Sequence, residues 1–305
     1  MILSAAHCAP DAGDIVVVGA FNLTETTATT TTTSRLIEKF RIDQALIHPQ
    51  YTDETNEYDI MLIKILGGTM ITVANPVAIN SNERVPFWLD ELKTVGWGAT
   101  SVTYITDDVS EETYPTILQE VDLTYVASTR CQQIYTDFNP QTTPDMMCAG
   151  DQGQSVCFGD SGGPLFKVTK NPSETIVVGV TSWLLDCTGD YPAIFHRTSY
   201  SFDWIRDTIC QTSNAPPSYL DCGAGPRTPS PTNVPSTGPS LAPSTGLAAA
   251  TTERPTVTNA TATPVVPSPL SSTAHTRTVA SRSHGPCLWA ILSTLLLLVL
   301  LAPWV

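Results

Sequence analysis

The chain has 305 residues, of which 42% are hydrophobic and 14% charged, and its formal net charge is -14. Its 29 acidic residues outnumber its 15 basic residues, which argues against nucleic-acid binding, because neutralising phosphates requires clustered Lys and Arg. Eight cysteines and 24 prolines indicate an oxidising compartment, and the length allows one large domain or two average ones.

Residues 1–222 have the pattern of a globular all-β domain. Short apolar runs, mostly β-branched, stop at Gly, Pro, Asn or Asp, which is typical of short antiparallel strands in a barrel or sandwich. The clearest runs are residues 15–18, 45–47, 60–63 and 176–180. Only residues 202–210 have the three- and four-residue apolar spacing of a helix.

Residues 223–286 are dominated by Ser, Thr, Pro and Ala. Such a segment buries too little apolar surface to offset the entropy of ordering it, so we expect it to be extended and disordered. Its composition is typical of an O-glycosylated stalk, with an unmodified linker as the alternative. Asn22 and Asn259 each begin an N-glycosylation triplet, which requires a secreted chain.

Residues 287–305 contain an uncharged apolar run that starts at Leu288. The run is just long enough to span a bilayer, but no Lys or Arg follows it. A polar spacer and small residues, such as those at 271–274, precede the run, which favours a GPI-attachment signal over a retained transmembrane helix. We therefore expect an extracellular protein tethered to the cell surface.

Three short stretches contain candidate catalytic side chains: residues 3–8 with His7, residues 58–64 with Asp59, and residues 157–165 with Ser161. Glycines on both sides of the serine allow a sharp turn and bring backbone N–H groups close to a substrate oxygen. A serine hydroxyl needs an adjacent base to become a nucleophile, and a buried carboxylate can hold a histidine in the required tautomer.

Two assignments of the catalytic roles are open, and they differ in the order of the serine, the acid and the histidine along the chain. Residues 159–163 also satisfy the G-x-S-x-G pattern of α/β-hydrolases, whose order of Ser, acid, His would use Ser161, Asp186 or Asp190, and His196. Only 35 residues separate this serine from this histidine, which is too few for the strand–helix alternation of that fold. The opposite order, with the histidine of the first stretch and the aspartate of the second, suits two β-barrels that meet at a cleft.

Together with residues 48–51, 95–98 and 181–183, these stretches resemble the chymotrypsin/trypsin family of serine endopeptidases over residues 1 to about 210. The resemblance implies two six-stranded antiparallel β-barrels, the first truncated at its N-terminus, and a C-terminal helix. It also implies hydrolysis of protein or peptide substrates through an acyl-enzyme without a cofactor, and protein protease inhibitors as partners.

The resemblance assigns a role to the candidate catalytic residue of each stretch and to two neighbours of the serine. His7 is the general base and then the general acid, Asp59 orients it, and Ser161 attacks the scissile carbonyl. The backbone N–H groups of Gly159 and Ser161 form the oxyanion hole. Asp160 matches the carboxylate that the new N-terminus pairs with on activation.

Cysteine pairing follows from the same resemblance. The implied disulfides are Cys131–Cys148 and Cys157–Cys187, with Cys210–Cys222 as a local link after the helix. Cys8 is left without its family partner. Cys287 is either removed with a GPI signal or available for palmitoylation, and a zinc site is not expected because no C-x-x-C or histidine pair has ligand spacing.

The specificity pocket departs from the trypsin-like pattern. The implied substrate-binding positions are Ser155, Val156, Ser182, Trp183, Leu184 and Ala193. Ser155 stands at the pocket floor, where trypsin-like members have Asp, so a P1 Lys or Arg lacks a partner. Leu184 and Ala193 replace glycines that keep the pocket open, and Val156 adds an apolar wall. We expect small or medium aliphatic P1 residues, with larger apolar residues as the second choice.

His7 lies almost at the start of the sequence, whereas the family has an activation site and several strands before this histidine. We expect the sequence to be an N-terminally incomplete piece that behaves like an unactivated zymogen, because no amino group is available for Asp160. Two functions from other classes stay open: a catalytically silent binding module with a protease fold, and an adhesion protein that acts through its stalk.

Overall fold

Antiparallel β-structure dominates the computed structural model, which describes residues 1–26, 37–66, 76–106, 109–138, 141–169, 171, 174–223 and 290–291. The strands are β1 (Ile2–Ser4), β2 (Ile15–Val18), β3 (Glu38–Ile47), β4 (Met61–Ile65), β5 (Ala78–Ile79), β6 (Glu91–Gly96), β7 (Ser101–Thr106), β8 (Val109–Thr113), β9 (Gln119–Val126), β10 (Met146–Ala149), β11 (Pro164–Lys167), β12 (Ile176–Trp183), β13 (Ala193–Arg197) and β14 (Ala290–Ile291). The α-helices are α1 (Ser128–Ile134) and α2 (Phe202–Thr212).

Two sheets organise these strands. In the larger one the order is β11-β6-β9-β10-β13-β12, and pairing of β11 with β12 closes it into a six-stranded barrel, to which β5 adds in parallel. The other sheet has the order β1-β4-β3-β2-β14 and forms an open half-barrel, while β7 and β8 form a separate hairpin. The expected all-β fold with one complete and one partial barrel is confirmed.

Apolar side chains fill the closed barrel and cover its junction with the half-barrel. Leu92, Leu123 and Phe195 are fully buried in one cluster inside the closed barrel. A second cluster joins Leu62 of β4 to Ile205 of α2. Each such side chain contributes about 1.5–3 kcal/mol on burial. This packing therefore stabilises the contact of α2 with the half-barrel.

The helix α2 includes the predicted residues 202–210 and continues to Thr212. The helix α1 was not predicted from the sequence. Of its residues only Cys131 is buried, so it lacks the periodic apolar face by which helices are recognised.

Three disulfides link residues of the closed barrel and its C-terminal extension. They are Cys131–Cys148, Cys157–Cys187 and Cys210–Cys222, with Cα–Cα distances of 5.9, 5.0 and 5.4 Å, and they are the pairs that the resemblance implies. Cys8 is also disulfide-bonded.

The stalk and the Asn259 acceptor lie outside the described residues, and so does the apolar tail apart from β14. Asn22 is described, and its Oδ1 accepts hydrogen bonds from the backbone N–H and the hydroxyl of Thr24. None of the helices in the described ranges is long and apolar enough to span a membrane.

Candidate active site

Strand register brings His7 and Asp59 together. Strand β1 pairs antiparallel with β4, so Ser4 at the end of β1 lies opposite Met61 at the start of β4. His7 follows β1 in a 3₁₀ turn (Ala6–Cys8), and Asp59 precedes β4. The two residues are 52 positions apart in sequence, yet His7 Nδ1 lies 2.7 Å from Asp59 Oδ2.

Asp59 is fully buried, with 0% of its surface exposed, and three donors surround its carboxylate. Its Oδ1 accepts the His7 backbone N–H at 2.9 Å, while Oδ2 contacts His7 Nδ1 and accepts the Ser182 hydroxyl at 2.5 Å. Burial alone would raise the pKa of Asp59, but the hydrogen bonds and charge of His7 and the bond from Ser182 outweigh it and lower the pKa. A carboxylate with a lowered pKa therefore faces the His7 ring.

Ser161 lies in a tight turn that glycines make possible. Gly159 and Gly162 both have left-handed backbone conformations, with φ values of +94° and +78°. The Gly162 N–H donates to Thr181 O at 2.9 Å and the Thr181 N–H donates to Gly163 O at 2.8 Å, so the turn is bound to β12.

The same turn packs directly against the segment that contains His7. A Cβ atom added at Gly162 would overlap Ser4 Oγ and would lie 3.3 Å from Ala5 N and 3.4 Å from Cys8 Sγ. A close approach of this kind requires glycine. In the described part of the chain, however, no hydrogen bond joins His7 to Ser161, and His7 Nε2 instead lies 3.6 Å from Cys8 Sγ.

The backbone N–H groups near Ser161 differ in whether they have an acceptor. The Asp160 N–H donates to Cys157 O and the Gly163 N–H to Asp160 O, which fixes the turn. The N–H groups of Gly159 and Ser161 donate to no acceptor among the residues that the structure describes. Both N–H groups are thus available to a ligand oxygen at this turn.

The Asp160 carboxylate points away from this turn into a cradle of glycines. Its Oδ1 accepts the Gly98 N–H at 2.8 Å and its Oδ2 the Cys157 N–H at 2.9 Å. A Cβ atom added at Gly96 or Gly98 would overlap the carboxylate. Burial raises the pKa of Asp160, although the two backbone hydrogen bonds oppose this shift. No cation pairs with Asp160 within the described ranges.

Comparison of the sequence with models of known protein families shows which family the chain belongs to. The family model described as Trypsin matches residues 1–205. The chain belongs to the trypsin family.

Individual relatives cover parts of this trypsin-family chain. Serine protease 28 of Mus musculus is 32% identical over 180 residues, which are 56% of this chain and 62% of the relative. Tissue-type plasminogen activator of Sus scrofa is 28% identical over 230 residues, or 68% of this chain and 37% of the relative. Mannan-binding lectin serine protease 1 of Homo sapiens is 26% identical over 169 residues, or 54% and 23%. The chain thus spans less than two thirds of the length of these relatives.

A solved structure titled neuropsin, a serine protease expressed in the limbic system of mouse brain, superposes with a TM-score of 0.54 at 25% identity. The match covers 68% of this chain and 83% of neuropsin. The fold of the trypsin family is therefore present.

Three of the implied pocket residues of this trypsin-family chain belong to the apolar cluster inside the closed barrel. Val156 and Ala193 are buried in the same cluster, and Leu184 packs against it. The Ser155 hydroxyl is buried and has no hydrogen-bond partner in the described part of the chain. The strand β12 ends with Ser182 and Trp183, whose indole nitrogen likewise has no partner among the described residues.

The alternative order of catalytic residues is not assembled. His196 is buried, with Nε2 2.9 Å from Ser201 Oγ and Nδ1 3.4 Å from Asp145 Oδ2. Asp186 accepts hydrogen bonds from the backbone and hydroxyl of Thr188. Within the described ranges, no group of three or more His, Cys, Asp or Glu side chains could hold a metal ion.

Two polar residues of the site were not assigned their contacts from the sequence. Ser182 was placed only on the substrate strand, whereas its hydroxyl binds Asp59 from a position 123 residues away. Asp145 accepts the backbone N–H of Tyr58, the residue before Asp59, across 87 positions. Local sequence patterns contain no signal for contacts at such separations.

Proposed function

We propose that this protein is a serine endopeptidase in which His7, Asp59 and Ser161 form the catalytic triad. The observation that carries the proposal is the pair of bonds between His7 and the fully buried Asp59, with the Ser161 turn packed against the same segment. Family membership supports proteolysis as the general activity.

The contact of His7 Nδ1 with an ionised Asp59 defines the chemistry of the ring. It retains the proton on Nδ1 and leaves Nε2 as the base that takes the proton of the Ser161 hydroxyl. The serine oxygen then attacks the scissile carbonyl, and the protonated ring returns its proton to the leaving amine. Water, activated by the same nitrogen, hydrolyses the acyl-enzyme.

The N–H groups of Gly159 and Ser161 would bind the oxyanion of each tetrahedral intermediate. Loss of one such donor typically costs about 3 kcal/mol of transition-state stabilisation. No metal or organic cofactor takes part in this proposal, since the triad provides both the acid and the base.

We propose a preference for small or medium apolar P1 residues. No carboxylate stands at the position of Ser155 to pair with Lys or Arg, and the apolar side chains of Val156, Leu184 and Ala193 pack in one cluster. Ser182 and Trp183 would lie along the substrate backbone. Larger apolar P1 residues are the second choice.

Substrates are proposed to be proteins or peptides, with protein protease inhibitors as further partners. Three disulfides are typical of an oxidising compartment, so we place the protein outside the cell. Glycosylation at Asn22 and Asn259 and a membrane tether at residues 287–305 stay predictions from the sequence.

Labelling with a fluorophosphonate tests the proposed catalysis, because an activated serine oxygen attacks its phosphorus, forms a phosphonate ester and releases fluoride. We expect peptide mapping to find the label on Ser161, and we expect labelling to be lost in Ser161→Ala and strongly reduced in His7→Ala. Absence of label contradicts the proposal when the folded chain is extended at its N-terminus and processed so that a new amino group can pair with Asp160. A P1 peptide library then tests specificity, and faster cleavage after Arg than after Val or Ala contradicts the proposed preference.

The second candidate is a catalytically silent binding module. Two observations favour it: among the described residues no hydrogen bond joins His7 to Ser161, and no cation pairs with Asp160. This candidate predicts that the wild-type chain is no more reactive than Ser161→Ala, so the same labelling experiment separates the two functions.

A further inference from the structure

A second cluster of Asp, His and Ser side chains lies buried next to the proposed triad. Asp145, His196 and Ser201 are 2%, 1% and 3% exposed. A substrate cannot reach a serine buried to this extent, so the cluster is not a second active site. Its importance lies in what Asp145 binds.

Asp145 connects the closed barrel to the half-barrel at the residue before Asp59. Asp145 immediately precedes β10 of the closed barrel, and its Oδ2 accepts the backbone N–H of Tyr58 at 2.7 Å. The Thr143 hydroxyl donates to the other carboxylate oxygen at 2.5 Å. Both oxygens of Asp145 are therefore in use, and one of them fixes the peptide group that leads into Asp59.

Tyr58 has a backbone conformation that needs such support. Its φ value is +52°, which is unfavourable for a residue with a bulky side chain and persists only where neighbouring groups hold it. Its ring stacks on His48, with 4.7 Å between ring centroids and 12° between ring planes. The hydrogen bond from the Tyr58 backbone N–H to Asp145 and the stacking of its ring on His48 hold Tyr58 from two sides.

We propose that Asp145 is a positioning residue for catalysis: by accepting the Tyr58 amide hydrogen from the other barrel, it holds Asp59 where its carboxylate can orient His7. This inference rests on the proposed function. His196 and Thr143 keep the Asp145 carboxylate in place, and Ser201 in turn holds His196.

The electrostatics of the cluster agree with this role. Burial alone would raise the pKa of Asp145, but the nearby His196 and the hydrogen bonds from Thr143 and the Tyr58 amide outweigh it and lower the pKa. Asp145 is thus ionised at neutral pH, as a carboxylate that accepts hydrogen bonds at both oxygens must be. His48, on the far side of Tyr58, has its pKa lowered to about 4, mainly by burial, and is neutral there.

The test compares fluorophosphonate inactivation of the full chain and its variants at several probe concentrations, which separates the maximal rate kinact from the binding constant KI. We expect Asp145→Ala to lower kinact by about 100-fold, the size expected for a misplaced catalytic group, with KI unchanged. Asp145→Asn retains an oxygen that can accept the Tyr58 amide hydrogen, so we expect it to stay within about tenfold of wild type.

Asp90→Ala is the matched control. Asp90 also accepts a backbone N–H, from Phe87 at 2.8 Å, and pairs with Lys167, but it lies before β6 and outside the proposed machinery. Its kinact should equal that of wild type. Partial misfolding lowers the fraction of chain that reacts but not the rate constant of that fraction. If Asp145→Ala does not fold, Asp145→Ser replaces it, because its shorter hydroxyl keeps the site polar without reaching the amide.

A second readout does not depend on catalysis. The proton between His7 Nδ1 and Asp59 should give a strongly downfield NMR resonance that disappears in His7→Gln. We expect this resonance to shift or broaden in Asp145→Ala and to persist in Asp90→Ala. If wild type is not labelled but the resonance responds in this way, the proposed catalysis fails and the positioning role stands. If the resonance is unchanged in Asp145→Ala, or kinact is unchanged in a reactive enzyme, the inference is overturned.

Discussion

Replacement of Gly162 by Ala tests how tightly the Ser161 turn packs against the His7 segment. The variant has two costs. An alanine must adopt the left-handed conformation at φ +78°, and its Cβ would overlap Ser4 Oγ while lying 3.3 Å from Ala5 N. Gly153→Ala isolates the first cost, because Gly153 has a φ of +76° and an added Cβ would meet nothing within 4 Å.

The two costs can be estimated separately. The left-handed conformation costs an alanine roughly 1–2 kcal/mol, and this is all that we expect Gly153→Ala to lose. Overpacking of a tight contact adds about 1–3 kcal/mol. Gly162→Ala should therefore lose roughly 2–5 kcal/mol in free energy of unfolding, and the difference between the two variants reports the overlap alone.

Urea unfolding of both variants measures these free energies, and Ser4→Ala in the Gly162→Ala background completes the design. Removal of Ser4 Oγ removes the overlap and leaves tight contacts of 3.3 and 3.4 Å for the new methyl group, so the double variant should recover most of the excess loss. Labelling of Ser161 should slow in Gly162→Ala and not in Gly153→Ala, because only the first displaces the serine. Equal losses of stability in the two single variants would refute the packing argument.

Three further variants probe buried polar groups. Ser182→Ala should cost about 1.5–3 kcal/mol at neutral pH, as expected for a hydrogen bond to a charged group. The lowered pKa of Asp59 gives stability that is present above the ordinary aspartate pKa and is lost as pH falls through the folded-state pKa. Because the pKa of Asp59 is less lowered in this variant, urea unfolding over a pH series should show a smaller acid loss, which is complete at a higher pH than in wild type. The raised pKa of Asp160 has the opposite sign, since its stabilisation is present below the ordinary aspartate pKa and lost as pH rises, so the stability of wild type relative to Asp160→Asn should fall between acid and neutral pH. Ser155→Ala removes a buried hydroxyl that has no hydrogen-bond partner in the described part of the chain. Thermal unfolding should therefore show a free energy of unfolding that is higher than in wild type or within about 0.5 kcal/mol of it. A larger loss of stability would show that the hydroxyl has a partner.

Strands with apolar runs could be predicted because apolar, β-branched residues indicate a buried strand. The predicted run at 176–180 is the start of β12, but the strand continues through Thr181 and Ser182, which are buried although polar. The hairpin of β7 and β8 was not among the predicted runs, because its apolar residues are interrupted by polar ones and β8 has only one apolar residue, Val109.

The proximity of His7 and Asp59 could be predicted only from the order of catalytic residues in a known family. In physical terms it depends on the register in which β1 pairs with β4, and the three residues of β1 are too few to specify a register from their own pattern. The buried contacts of Ser182 and Asp145 depend in the same way on how the two β-structures meet.

Three contacts between the closed barrel and the half-barrel end on the segments that contain His7 and Asp59. The Ser182 hydroxyl binds the Asp59 carboxylate, Asp145 binds the peptide group before it, and the Gly162 turn packs against the residues before His7. In each case the closed barrel supplies one partner and the half-barrel the other. The orientation of His7 and Asp59 is therefore determined by the interface as much as by the half-barrel itself, and a variant that loosens this interface should lower the reactivity of Ser161 before it unfolds the protein.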